Sequence, residues 1–149
     1  MCMKQIEIYT DGACSGNPGV GGYGAVLIYN NKRKEISGAE EQTTNNKMEI
    51  MAVLKAISLV KEPCEIKIYS DSAYVVNAFL NGWIDNWKQN GWRNSGKDEV
   101  KNKELWQQLL EKLEPHKVSW VKVKGHADNE LNNRCDELAT TAIKEFKKV

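Results

Sequence analysis

Two segments of the sequence end alike. Ile6-Glu7-Ile8-Tyr9-Thr10-Asp11 and Ile66-Lys67-Ile68-Tyr69-Ser70-Asp71 share the pattern I-x-I-Y-[TS]-D, sixty residues apart. The alternation of isoleucine with polar residues predicts a strand in each case. If the two strands are parallel neighbours, they lie about 4.8 Å apart. Equal register then sets Asp11 and Asp71 side by side at the carboxyl edge, where open α/β sheets bind ligands. Two carboxylates about 4 Å apart repel by roughly 4 kcal/mol at an effective dielectric near 20. Such a pair calls for a cation or a shared proton. Singly, Asp-Gly and Asp-Ser are ordinary turn starts; the repetition favours function.

Two further acids point the same way. Glu49 falls one turn into a helix expected to start among Thr43, Thr44, Asn45 and Asn46, on the face of Ala52, Val53, Ala56 and Val60. The alternative is a capping box with Asn46 as cap. Asp136 shares a stripe with Ala139 and Ile143 in the last expected helix; the alternative is an early-helix acid facing the dipole. Four acids on inward or sheet-edge positions suggest a hard-metal site, and oxygen-only donors favour Mg²⁺ or Mn²⁺ over zinc. Two such ions about 4 Å apart suit in-line phosphoryl displacement. His126, in the loop Gly125-His126-Ala127-Asp128-Asn129, could move protons near these acids, although a lone histidine is usually structural. Zinc ligation lacks partners, since His116 is the only other histidine.

The elements that must position these groups read as β-β-β-α-β-α-α-β-α. Strands are expected at residues 4–10, 23–29, 33–38, 65–70 and 118–123. The glycine-rich DGACSGNPGVGG reads as a loop, and Asn30, Asn31 and Lys32 as a hairpin turn. Helices are expected from about Asn46 to Val60, where Glu62-Pro63 stops the chain, and at 73–80 after a Ser72 cap, 103–113 and 131–146. Residues 82–96 read as irregular. The fold class expected is α/β: a mixed five-stranded sheet, three antiparallel strands leading into parallel strands, flanked by helices.

Composition narrows the class. At 149 residues, 41% hydrophobic and 28% charged, one ordinary globular domain is expected. No apolar run approaches a membrane span and MCMKQIEIYT lacks a signal-peptide core, so a cytoplasmic protein without membrane contact is expected. The cysteines (Cys2, Cys14, Cys64, Cys135) show no C-x-x-C pairing and read as reduced, buried thiols. The net charge is only +1, yet residues 88–103 hold five basic residues (Lys88, Arg93, Lys97, Lys101, Lys103) against Asp98 and Glu99. A local patch on a near-neutral body suggests a docking surface. Trp83, Trp87 and Trp92, with Lys88 and Arg93 between them, suit sugar and phosphate contacts; the spacing of Trp83 to Trp87 equally fits a packed helix face. No apolar heptad repeat suggests self-association, so a monomer is expected.

The stretches YTDGACSGNPGVGGYGA, TTNNKMEIMA, IYSDSAYV, NGWIDNWKQNGW, VKNKELWQQL and VKGHADNELNNRCDELA occur in the order and spacing of one family. From end to end the chain resembles the bacterial ribonucleases H of type 1. That resemblance implies endonucleolytic hydrolysis of the RNA strand of an RNA–DNA hybrid, leaving 3′-hydroxyl and 5′-phosphate ends. Asp11, Glu49, Asp71 and Asp136 match the family's metal-binding catalytic acids, which take two Mg²⁺ ions, with Mn²⁺ as a substitute. His126 matches a loop histidine that assists proton transfer or product release. Asn17, Thr44, Asn45 and Asn46 match positions that contact the nucleic acid, Thr44 on a DNA phosphate, and Cys14 lies at a substrate-contact position. Residues 83–103 match a basic protrusion that grips the DNA strand.

Departures are few. Ala73 stands where a base-contacting glutamine is common, and Gln89, Asn90, Asp98 and Glu99 make the protrusion less basic. A separate N-terminal hybrid-binding module is not expected, because the first strand starts at residue 4. RNA is told from DNA by its 2′-hydroxyl, and Asn45, Asn46 and the glycine-rich backbone are the expected readers. A binding module without catalysis would show a lost acid, and all four are present. A DNA-cutting nuclease on the same fold is the other alternative, disfavoured by the Gly-Asn-Pro-Gly loop and the tryptophan-rich insert.

Overall fold

The computed structural model describes residues 4–16, 18–94, 96–123 and 130–147. Three antiparallel strands open the chain: β1 (Lys4–Cys14), β2 (Gly19–Tyr29) and β3 (Lys32–Thr43). Helix α1 (Asn45–Ile57) crosses over to β4 (Cys64–Ser70), which pairs with β1 in parallel. Helices α2 (Ala73–Leu80), α3 (Trp83–Gln89) and α4 (Lys103–Leu113) lead to β5 (Lys117–Lys122), parallel to β4, and α5 (Glu130–Lys147) follows. The sheet order is β3-β2-β1-β4-β5. This is the expected mixed sheet, and Ile6 pairs with Ile66 and Thr10 with Ser70, the equal register that the repeated motif requires.

One face of the sheet is sealed by α1, α2 and α4 over Ile8, Ile66 and Ile68, with Trp106 fully buried among them. Trp106 Nε1 donates to the Tyr74 hydroxyl at 3.2 Å, so the large ring is buried without an orphaned donor. A smaller cluster of Tyr9, Val26 and Cys135 lies under α5 on the other face. Cys64 and Cys135 are buried free thiols, whereas Cys14, at the end of β1, is free but only half-buried. No helix among the described residues is long and apolar enough to cross a membrane.

Four expectations need correction. The glycine-rich stretch is mostly strand: β1 continues to Cys14 and β2 begins at Gly19. Its glycines serve close packing. A Cβ on Gly24 would lie 2.4 Å from the carbonyl oxygen of Cys135, and one on Gly22 equally close to that of Ala139, so the backbone of α5 rests directly on β2. The third strand runs to Thr43, well beyond residue 38, because this polar segment pairs along its length with β2. Helix α1 ends at Ile57, and Leu59 and Val60 continue only as a tighter turn, bonded to the carbonyls of Ala56 and Ile57. Residues 83–89 are helical, because Ile84 is buried and Trp83 and Trp87 pack against the core.

Candidate active site

The repeated motif delivers Asp11 and Asp71 to the same edge, one residue beyond the paired Thr10 and Ser70. Glu49 arrives from α1. Each of the three offers a carboxylate oxygen, and these oxygens all lie within 4.8 Å of one another. Asp11 and Glu49 are buried.

Local geometry fixes Glu49 in this role. The cap of α1 is Thr44, whose hydroxyl accepts the Lys47 N–H at 3.2 Å. Glu49 therefore lies two positions past the one from which a capping box is closed, and that alternative is excluded. Its Oε1 instead accepts the Gly12 N–H at 3.0 Å, and the same N–H donates to Asp11 Oδ1 at 2.9 Å. One amide thus holds two acids from different elements.

Burial pushes the Asp11 carboxyl up to about 7, and the charges of Asp71 and Asp136 add to that rise against the lowering effect of the Gly12 amide. Glu49 is raised well above the usual range, first by burial and then by Asp11 and Asp71. No lysine or arginine among the described residues forms an ion pair with these acids. The cluster lacks positive charge and offers only oxygen donors. A hard divalent cation fits both features.

Asp136 differs from expectation. It lines the same cleft, of about 400 Å³, and acts electrostatically on Asp11, but it is exposed and lies outside the close trio. The buried stripe of α5 is Asn132, Cys135, Ala139 and Ile143. Cys135 takes the core slot, so its neighbour turns to the rim. Asn132, which sequence reasoning did not single out, lines the cleft too, and its Nδ2 donates to the Thr10 carbonyl at 3.4 Å, tying α5 to β1 beside Asp11. Its position four residues before Asp136 was the available signal.

The remaining expected residues divide. Asn45 and Asn46 are exposed at the start of α1 and line the cleft. Thr44 stands beside them with its hydroxyl engaged in capping. Cys14 is half-buried at the end of β1, its Sγ 3.6 Å from the Gly19 carbonyl oxygen and 3.5 Å from that of Thr43, and it does not line the cleft. Trp83, Trp87 and Trp92 form a chain of rings with centroids 6.5 and 6.1 Å apart, and Trp87 meets Trp106 at 5.6 Å. Their main contacts are with the core. Lys88 and Arg93 are exposed beside them. Asn17 and His126 lie outside the described residues.

Comparison with known proteins gives a consistent picture. The ribonuclease H (RNase H) family model matches residues 3–144. The chain is 61% identical over 146 residues to a ribonuclease H of Acetivibrio thermocellus, covering 98% of this chain and 99% of the relative. It is 57% identical over 147 residues to that of Clostridium botulinum, covering 97% and 99%. Among solved structures it is similar to LC9-RNase H1, described as a type 1 RNase H with the type 2 active-site motif, at TM-score 0.86 and 29% identity over 97% of this chain and 74% of that one. It is also similar to LC11-RNase H1 in complex with RNA/DNA hybrid, at TM-score 0.71 and 25% identity over 95% and 99%. Because the sequence match spans almost the full length of these relatives and includes every strand and helix that builds the acidic cleft, the chain belongs to the ribonuclease H family.

Proposed function

We infer that this chain hydrolyses the RNA strand of RNA–DNA hybrids endonucleolytically, leaving 3′-hydroxyl and 5′-phosphate ends, with two Mg²⁺ ions held by Asp11, Glu49, Asp71 and Asp136 and with Mn²⁺ as a substitute. The observation that carries the reading is the trio of carboxylates, brought from three elements to within 4.8 Å with no lysine or arginine among the described residues paired to them. Family membership and the hybrid bound by LC11-RNase H1 support the substrate class. Bound there, the ions would lower the pKa of an attacking water and offset charge on the leaving 3′-oxygen.

The chain's own part is position and electrostatics. The Gly12 amide orients Asp11 and Glu49 before substrate arrives. Asn45 and Asn46, exposed at the cleft, offer side-chain amides that can both donate to and accept from a 2′-hydroxyl, the group that separates RNA from DNA. By family resemblance, Thr44, Asn17 and Cys14 contribute contacts to the nucleic acid. Lys88 and Arg93, backed by Trp83, Trp87 and Trp92, hold the DNA strand through phosphate and sugar contacts that carry no sequence information. His126 serves as a proton-transfer group. The protein acts as a monomer in the cytoplasm, one catalytic domain with the tryptophan-containing insert as its docking arm.

The test is cleavage of matched hybrid, duplex DNA and duplex RNA in Mg²⁺, with wild type and Asp71→Asn. Only the hybrid should be cut, in its RNA strand. Asp71→Asn should abolish turnover while hybrid binding persists. Cleavage of duplex DNA at a comparable rate, or Asp71→Asn activity within about tenfold of wild type, would refute the reading.

A further inference from the structure

The two helices that flank the acids carry the same motif near their starts. Asn45-Asn46-Lys47-Met48-Glu49 of α1 and Asn132-Asn133-Arg134-Cys135-Asp136 of α5 share the order N-N-[KR]-x-[ED]. In each, two asparagines precede an acid of the cleft by about one helical turn. The likeness extends to placement. Met48 and Cys135 are fully buried, and both asparagine pairs line the cleft together with the acids that follow them. Helix α1 lies on one face of the sheet and α5 on the other, so the two pairs reach the cleft from opposite sides.

Within α5 the two asparagines have different tasks. Asn132 is buried and ties the helix to the Thr10 carbonyl. Asn133 is exposed at the cleft, and its side chain makes no hydrogen bond among the described residues. It stands outside the buried stripe of Asn132, Cys135, Ala139 and Ile143. Asparagine favours caps and turns over helix interiors, so neither packing nor helix propensity accounts for it. Residues three apart on a helix are neighbours, with about 5–6 Å between their Cβ atoms. The Asn133 amide is thus one turn from Asp136, towards the helix start, as that of Asn46 is from Glu49.

We propose that Asn133 is a substrate-contact residue, donating an Nδ2 N–H to a non-bridging phosphate oxygen of the RNA strand on the side of the acids away from Asn46. The proposal rests on the reading of the cleft as the site of RNA cleavage. A neutral donor suits this position. The acids repel a phosphate backbone wherever no ion intervenes, and a further carboxylate would add to that repulsion. A lysine or arginine in its place would pair with Asp136 at i, i+3 spacing and compete with the ions for it. An amide has two N–H donors and no charge, so it holds the phosphate and leaves the acids to the metal. Asn46 and Asn133 then bracket the ions, and the strand is held on both sides of the bond to be cut.

The experiment measures binding of a labelled RNA–DNA hybrid by fluorescence anisotropy in Ca²⁺, whose looser coordination suits binding better than positioning of the attacking water. Asn133→Ala should weaken binding about three- to tenfold, the loss of one hydrogen bond to a charged group at an exposed site. Asn133→Asp should weaken it by more than about tenfold, because it sets a carboxylate against the phosphate. Single methylphosphonate linkages, which are uncharged, then locate the partner. At one RNA-strand linkage the replacement should weaken wild type and leave Asn133→Ala unaffected, while DNA-strand replacements weaken both equally. Equal affinity of wild type and both variants would overturn the proposal. So would an Asn133→Ala deficit that persists whichever RNA-strand linkage is replaced. Tighter binding by Asn133→Asp would overturn it too, since the position would then face an ion. A wild type that fails to bind hybrid at all would instead refute the reading of the cleft, and this proposal with it.

Discussion

Gly12 and Glu49 depend on each other. The Gly12 N–H donates to Glu49 Oε1 at 3.0 Å, and a Cβ on Gly12 would lie 2.6 Å from the Glu49 amide nitrogen and 2.5 Å from the Met48 carbonyl carbon. The absent side chain is what lets α1 come close enough for the bond. Gly12→Ala should push α1 off β1, with a loss of about 1–3 kcal/mol in urea unfolding, the usual range for overpacking. Because Glu49 moves with the helix, the divalent-ion concentration for half-maximal cleavage should also rise. A variant with wild-type stability and wild-type ion requirement would contradict this role.

The raised carboxyls make a prediction about pH. Burial holds the Asp11 carboxyl up at about 7 in the folded protein, well above the ordinary 3.8. Between these limits the folded state binds more protons than the unfolded one, so stability falls as pH rises. Glu49 is shifted in the same direction. Metal-free protein should therefore lose stability as the pH rises from about 4 to about 7. Asp11→Asn removes that charge, so metal-free Asp11→Asn should melt above wild type at pH 8. Mg²⁺ or Mn²⁺ should raise the Tm of wild type far more than that of the variant. Thermal scans with and without ion decide it; a wild-type Tm that climbs between pH 4 and pH 7 without metal would sink the idea.

The insert separates packing from binding. Trp87 packs between Trp83, Trp92 and Trp106. Trp87→Ala should cost about 2–4 kcal/mol, a little less than a fully buried aromatic. Lys88 and Arg93 are exposed, so a Lys88→Ala, Arg93→Ala double variant should change stability by no more than about 0.5 kcal/mol per site. It should instead raise KM and flatten the salt dependence of hybrid binding by about one to two units, with kcat preserved. A collapsed kcat at unchanged KM would mean that these cations shape the cleft.

How much of this was legible beforehand depends on the range of the forces involved. The paired strands could be read because the I-x-I-Y-[TS]-D repeat encodes register locally, and the Ser72 cap because its hydroxyl acts three residues away, on the Val75 amide. The glycines of β2 could not, since what they accommodate is the backbone of α5, more than a hundred residues later. Asp136 falls at the rim and not on the inward stripe because a single step of 100° separates core from rim, and only the docked helix shows that Cys135 is the inward one.

The last acid depends on how α5 is held. Arg134 forks onto Glu35 of β3, with Nε to Oε2 and Nη2 to Oε1 both at 2.9 Å, and its Nη1 reaches Glu137 at 3.0 Å. Arg33 adds a contact to Glu35 at 2.7 Å. The Arg134 and Arg33 guanidiniums hold the Glu35 carboxyl down to about 2. Isolated exposed pairs contribute little, but a bidentate fork within a network fixes geometry. Here it fixes the turn of α5 that carries Asp136, two residues on. Glu35→Gln and Arg134→Lys should both loosen that turn, since a lysine cannot make the fork. The expected result is a several-fold higher Mg²⁺ requirement, weaker Mn²⁺ binding by calorimetry, and an unchanged kcat at saturating ion. High salt should narrow the gap between variant and wild type, because the wild-type network is itself screened. Glu35 binds fewer protons folded than unfolded between its lowered value and the ordinary 4.5, so its contribution is present above about pH 4.5 and is lost as pH falls towards 2. If both variants keep wild-type ion affinity at neutral pH, the clamp stabilises the surface alone and Asp136 is positioned by the glycine-lined seat on β2.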